Sequence, residues 1–187
     1  MIYLASTSPR RKKILRELGI PFRILKSSYR EANASFSSPS ECVRRHALGK
    51  GRSAAKRIQN GTVLAADTIV YFENRIIGKP KDRKHAQKIL SRLQGRWHTV
   101  YTGVACVKVM AGKIKREKFF CEKTRVRLRK MDKTAILAYF RKVNPLDKAG
   151  AYAIQSQHAG IVEGIRGSFS NAVGLPVESL KKCLKNF

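Results

Sequence analysis

The stretch Val63-Leu64-Ala65-Ala66-Asp67-Thr68-Ile69-Val70-Tyr71-Phe72 constrains this chain more than any other. Eight of its ten residues are apolar, which suits a strand covered on both faces, yet an acid and a hydroxyl interrupt it in the middle. A carboxylate taken out of water must be hydrogen-bonded, paired with cations or bound to metal. Asp67 is therefore either a structural acceptor or the centre of a site, and the residues gathered around it decide which.

With 187 residues, 43% of them hydrophobic, the chain is expected to form one domain over residues 1–187 with an ordinary core. It contains no apolar run of roughly eighteen residues and no basic segment leading into an apolar one at its start, so a cytoplasmic protein without a membrane span is expected. Cys42, Cys106, Cys121 and Cys183 include no CxxC pair and read as free thiols. Cys42 and His46 share a helical i,i+4 face, but two ligands do not make a metal site. The charge is unusual: 40 Lys and Arg against 12 Asp and Glu leave +28. Such a surface attracts polyanions without specifying a fold, and it does not by itself separate an enzyme from a nucleic-acid binder.

Met1 to Ala5 reads as a short strand leading through Ser6-Thr7-Ser8 into a helix with Ser8 at its N-cap, Pro9 in the first turn and Gly19 at the stop. Free amides, three hydroxyls and the adjacent Arg10 and Arg11 make this helix start a phosphate cradle in physical terms. Phe22 to Ser27 can form a second strand, and Ser28 to Ser38 is polar and turn-like, with Glu31 its acid. Ser38-Pro39-Ser40-Glu41 is a capping box that opens a helix running towards Asn60-Gly61. Gly49 and Gly51 flank Lys50 in that helix, each costing close to 1 kcal/mol relative to alanine, which points to close packing or ligand approach. Gly49-Lys50-Gly51 lacks the spacing of a Walker phosphate loop.

Beyond the central strand, Glu73-Asn74-Arg75 forms a tight turn and Ile76-Ile77 returns to Gly78-Lys79-Pro80, so Lys79 falls just beyond a hairpin that begins with the Asp67 strand and is expected close enough to pair with or neutralise charge beside it. Asp82 and Asp132 cap two amphipathic helices. Trp97 to Met110 and Lys113 to Leu128 read as long strands joined at Ala111-Gly112, the second carrying Arg125, Arg127 and Arg129 on one solvated face. His98 reads as a structural histidine. Asn144 to Gln155 combines a loop acid and lysine, small residues that permit close backbone approach, and an amide able to read a base edge. A short strand over 160–165, a hydroxyl and amide turn at Gly167 to Asn171, and a last helix opened by Pro176 complete the chain.

Taken in order, Leu4-Ala5-Ser6-Thr7-Ser8-Pro9-Arg10-Arg11, Ala66-Asp67-Thr68-Ile69-Val70, Lys79-Pro80, Pro145 to Tyr152 with Gln155, and Gly167-Ser168 with Val173-Gly174-Leu175-Pro176 resemble the Maf family of nucleoside triphosphate pyrophosphatases, the septum formation inhibitor or Maf-like proteins. The resemblance implies an α/β fold, an elongated twisted mixed sheet flanked by helices, similar to the inosine triphosphate pyrophosphatase group. It implies hydrolysis of a nucleoside triphosphate to the monophosphate and pyrophosphate with a divalent cation, Mg²⁺ or Mn²⁺, as nucleotide-pool house-cleaning.

Carried over by position, Asp67 is the proton acceptor, and Ser8, Arg11, Lys50 and Lys79 line the phosphate site with Glu31, which shares the metal with Asp67. Arg10, Thr68 and Gln155 match positions associated with base choice. The Asp67-Thr68 pair resembles the branch acting on dTTP and UTP; Gly78-Lys79-Pro80 and Tyr101-Thr102-Gly103 resemble the branch acting on 7-methyl-GTP. The competing class is a charge-driven, non-specific nucleic-acid binder, although no recognition helix, zinc finger or RNA-binding aromatic signature is present. The partners open to such a chain are a nucleoside triphosphate, nucleic acid held by the basic surface, and a second copy in a homodimer.

Overall fold

The structure is a computed structural model and describes residues 1–31, 36–155, 160–185 and 187. Of the polar stretch expected over 28–38, residues 32–35 lie outside the described residues. Among the described residues, seven strands and six α-helices follow one another as β1 (Ile2–Leu4), α1 (Pro9–Glu17), β2 (Phe22–Ile24), α2 (Pro39–Ala55), β3 (Gly61–Phe72), β4 (Arg75–Ile77), α3 (Arg83–Leu93), β5 (Trp97–Met110), β6 (Lys113–Leu128), α4 (Lys133–Lys142), β7 (Val162–Arg166), α5 (Phe169–Val173) and α6 (Val177–Lys185), with a short 3-10 turn at Ala149–Ala151 before β7. The strand order is β2-β1-β3-β5-β6-β7, with β4 paired to β3. Parallel pairs (β1 with β2 and β3) and antiparallel pairs (β3 with β4, β6 with β7) make the sheet mixed. This is the expected fold class. Among the described residues no helix is long and apolar enough to cross a membrane.

The chain divides into two compact units. The first comprises Met1–Asp67, Thr102–Glu122 and Gly174–Phe187. Its core packs Ala54 and Ala55 of α2 on Ala5, on Val63 and Ala65 of β3, and on Val107 and Val109 of β5. Alternation along β3 puts Val63, Ala65 and Asp67 on the same face, so the polar break points to the side covered by α2. The α2 start is the expected capping box, with Ser38 Oγ accepting from Glu41 N at 3.1 Å. The helix ends at Ala55, short of the expected Asn60-Gly61 stop. Arg57 N and Ile58 N turn back to the carbonyls of Ala54 and Ala55 and tighten the chain out of the α-helix. Gly51 fits because α2 rides close to the sheet: a Cβ there would stand 3.0 Å from Val107 Cγ2 and 3.5 Å from Ala65 Cβ.

The second unit, Thr68–Tyr101 with Lys123–Val173, buries Val70, Phe72 and Val100 of the strands under Leu90 and Leu93 of α3 and Ile136, Tyr139 and Phe140 of α4. Both helices begin at the expected aspartates: Asp82 accepts from His85 N and Asp132 from Ala135 N, each at 2.7 Å. Glu73 and Asn74 adopt positive φ in the β3–β4 turn. Such a turn matches the twist of the strands it joins.

Candidate active site

The first unit assembles four of the expected polar residues. Asp67 is only 8% exposed, and Lys50 of α2 places its ammonium 2.6 Å from Asp67 Oδ1. The same Nζ lies 2.6 Å from Glu31 Oε1. Lys50 reaches both because the helix sits close to the sheet at Gly51 and close to the Glu31 segment at Gly49. A Cβ at Gly49 would fall 2.2 Å from the Tyr29 ring, so glycine is what lets that ring lie against α2. The Tyr29 hydroxyl meets His46 Nδ1 at 3.1 Å, one helical turn earlier, and Tyr29 N donates to Ser27 Oγ at 3.1 Å. The two mid-helix glycines thus serve close packing, and His46 is engaged by the tyrosine.

Arg11, in the first turn of α1, donates from Nη1 to Ala66 O at 2.9 Å and to Ser6 Oγ at 3.2 Å, and from Nε to Gly174 O at 2.9 Å. Burial pulls its pKa down to about 10, opposed by the attraction of Asp67, so at neutral pH it remains a guanidinium anchored to the residue before Asp67. Ser6 Oγ also accepts from Ser8 N at 3.2 Å, and Ser8 makes no side-chain cap for α1. The hydroxyl turn is therefore organised around Arg11. Cys42 lies in the same negative field: burial, then Asp67 and Glu31, push its thiol up to about 11, so it is a neutral, inert group there.

Three of the expected residues, Thr68, Lys79 and Gln155, belong to the second unit. Thr68 and Gln155 are half-buried, and Lys79 is exposed beyond the end of β4, next to Gly78, whose carbonyl accepts from Gly150 N at 3.1 Å. Arg10 is half-buried at the start of α1 in the first unit. The loop acid and lysine satisfy each other: Lys148 Nζ donates to Asp147 Oδ1 at 2.5 Å and to Asn144 O at 2.8 Å. His98 is buried with Nε2 2.7 Å from the Tyr152 hydroxyl, which fits a structural histidine.

Ser6 is legible as one of the three hydroxyls beside Arg11, but the roles of the carbonyls of Ala66 and Gly174 have no signal in the sequence. A backbone oxygen acquires a role only from the side chain that folding brings to it. Chemically, the first unit presents a desolvated carboxylate, a second carboxylate in solvent, and two cations held beside them. That set can take a proton from water and offset the charge of an anionic substrate.

The family model of the Maf-like proteins matches residues 1–187. The chain is 41% identical over 186 residues to the dTTP/UTP pyrophosphatase of Pelotomaculum thermopropionicum, covering 100% of this chain and 96% of that one. It is 41% identical to the dTTP/UTP pyrophosphatase of Gloeobacter violaceus and 42% identical to that of Bacillus anthracis, covering 95% of each. Among solved structures, the Ham1 protein of Staphylococcus aureus is similar with a TM-score of 0.55 at 17% identity, covering 99% of this chain and 98% of that one. A HAM1 protein from Coxiella burnetii is similar with a TM-score of 0.51 at 16% identity, covering 100% and 98%. These two likenesses concern the fold alone. With the family model matched from end to end and full-length relatives above 40% identity, the chain belongs to the Maf-like protein family.

Proposed function

We propose that this protein is a nucleoside triphosphate pyrophosphatase that hydrolyses dTTP and UTP to the monophosphate and pyrophosphate, acting as one catalytic domain over residues 1–187. The observation that carries the reading is the Lys50 ammonium shared between buried Asp67 and exposed Glu31, with Arg11 anchored alongside. Asp67 orients a water and takes its proton as the oxygen attacks the α-phosphorus; the α–β anhydride bond breaks and pyrophosphate leaves. Lys50 and Arg11 offset charge on the phosphate oxygens, and Lys79 adds a cation. The relatives named for dTTP and UTP support the pyrimidine preference, with Thr68, Gln155 and Arg10 as the residues that set it.

The donor set fits a divalent cation. Glu31 and Asp67 offer hard carboxylate oxygens, and Mg²⁺ or Mn²⁺ in such enzymes is held by one or two carboxylates together with substrate phosphates and water. When bound, the cation would neutralise phosphate charge.

The test is pyrophosphate release with Mg²⁺ over dTTP, UTP, CTP, ATP, GTP and 7-methyl-GTP. Rapid turnover of dTTP and UTP ahead of the purines is expected. A preference for 7-methyl-GTP would overturn the base assignment, and no release from any triphosphate would overturn the reaction class.

A further inference from the structure

Cys106 in β5 and Cys183 in α6 lie 77 residues apart in sequence, yet their sulfurs stand 3.3 Å apart in a hydrogen bond. Both belong to the first unit and both are buried, Cys106 at 0% and Cys183 at 8% exposure. Cys42 and Cys121, the remaining thiols, are not part of this pair. The pair lies outside the acid and cation cluster, and nothing in the proposed hydrolysis uses it. We infer that Cys106 and Cys183 form a reversible dithiol–disulfide site, oxidised by peroxide, which ties the C-terminal helix to β5.

The surroundings make the two sulfurs unequal, as a two-step oxidation requires. The hydrogen bond between Cys183 and Cys106, with the Lys118 and Arg116 cations and against burial, lowers the Cys183 thiol. The same hydrogen bond, with burial, pushes the Cys106 thiol up, so Cys106 keeps its proton. Cys183, 8% exposed against 0% for Cys106, is the sulfur that peroxide reaches first and so the nucleophile, with Cys106 the resolving thiol. The Cys183 thiolate attacks one oxygen of hydrogen peroxide; the O–O bond breaks, and hydroxide leaves and takes up the proton that Cys183 had released, giving a sulfenic acid and water. Cys106 then attacks the Cys183 sulfur; the S–O bond breaks, and the departing hydroxide takes the Cys106 proton as a second water. Two thiols lose two electrons and one peroxide is reduced to two waters. A dithiol reductant reverses the bond by thiol–disulfide exchange.

The experiment exposes the full-length protein to hydrogen peroxide, removes the oxidant, and counts free thiols after unfolding in denaturant, with peptide mapping by mass spectrometry. Two of the four thiols should be lost, the map should join Cys106 to Cys183, and dithiothreitol should restore all four. A variant with Cys42→Ser and Cys121→Ser should lose both remaining thiols. The oxidised protein should melt roughly 5–15 °C higher, because a bond closing so long a loop restricts the unfolded chain. Four thiols surviving, a link through Cys42 or Cys121, or Cys183 recovered as a sulfinic acid beside reduced Cys106 would each overturn the inference.

Discussion

Lys50 Nζ stands 2.6 Å from Asp67 Oδ1 and 2.6 Å from Glu31 Oε1, and the two arms of this bridge lie in different environments. The Asp67 side chain is 11% exposed and that of Glu31 is 57% exposed. Removing the cation strands a desolvated carboxylate on one arm, whereas removing Glu31 breaks a pair already screened by solvent. Lys50→Met should therefore lower folding stability by about 3–5 kcal/mol. Glu31→Gln should lower it by no more than about 1 kcal/mol. Urea denaturation of the two variants measures the difference, and equal losses would contradict the asymmetry.

Asp67→Asn separates chemistry from structure. The amide keeps the shape of the side chain, and Lys50 retains Glu31, but the proton-accepting charge is gone. Turnover is expected to fall about 10²–10⁴-fold, the usual contribution of a positioned general base, with far-ultraviolet circular dichroism unchanged. Retained kcat in a folded variant would remove Asp67 from the base role.

Arg11 has structural work independent of any substrate, because its fork joins Gly174 O and Ala66 O from segments distant in sequence. Arg11→Ala should destabilise the fold by about 2–4 kcal/mol, since it removes three charge-assisted bonds, two of them to carbonyls left without that donor. Arg11→Lys preserves the charge but cannot span both acceptors with one ammonium, so it should recover only part of the stability. Thermal melts of both variants test this, and full recovery by lysine would show that charge alone matters.

His98 supplies a pH dependence with a definite sign. Burial lowers its pKa from the usual 6.5 to about 4, so the folded protein resists protonating it while the unfolded chain does not. Its contribution to stability is complete above about pH 6.5 and is lost as pH falls towards 4, by about 3 kcal/mol over that window. His98→Gln should flatten this part of the stability–pH curve relative to wild type. Identical slopes in the two proteins would refute the assignment.

Where the controlling interaction is local, the sequence by itself determined the structure. Ser38, Asp82 and Asp132 cap their helices as their spacing requires, because a cap joins residues three apart. The two long strands end where Ala111-Gly112 turns, because both residues adopt positive φ in a turn of their own. The polar break at Asp67 was legible for the same kind of reason: an acid inside an apolar run announces a partner.

The identity of that partner was left to the tertiary structure. Asp67 meets Lys50 because pleat alternation and the glycine-eased approach of α2 put them on one face, and Arg11 meets Gly174 across 163 residues. The short helix α5 stands where the hydroxyl and amide residues Gly167 to Asn171 favour a turn. Its Asn171 is fully buried, donating to Thr124 Oγ1 at 2.9 Å and to Val100 O at 3.3 Å. The Cys106–Cys183 pair left no mark in cysteine spacing either. Such contacts depend on where distant segments are packed, and hydrophobic patterning carries no record of which polar atoms that packing brings within reach.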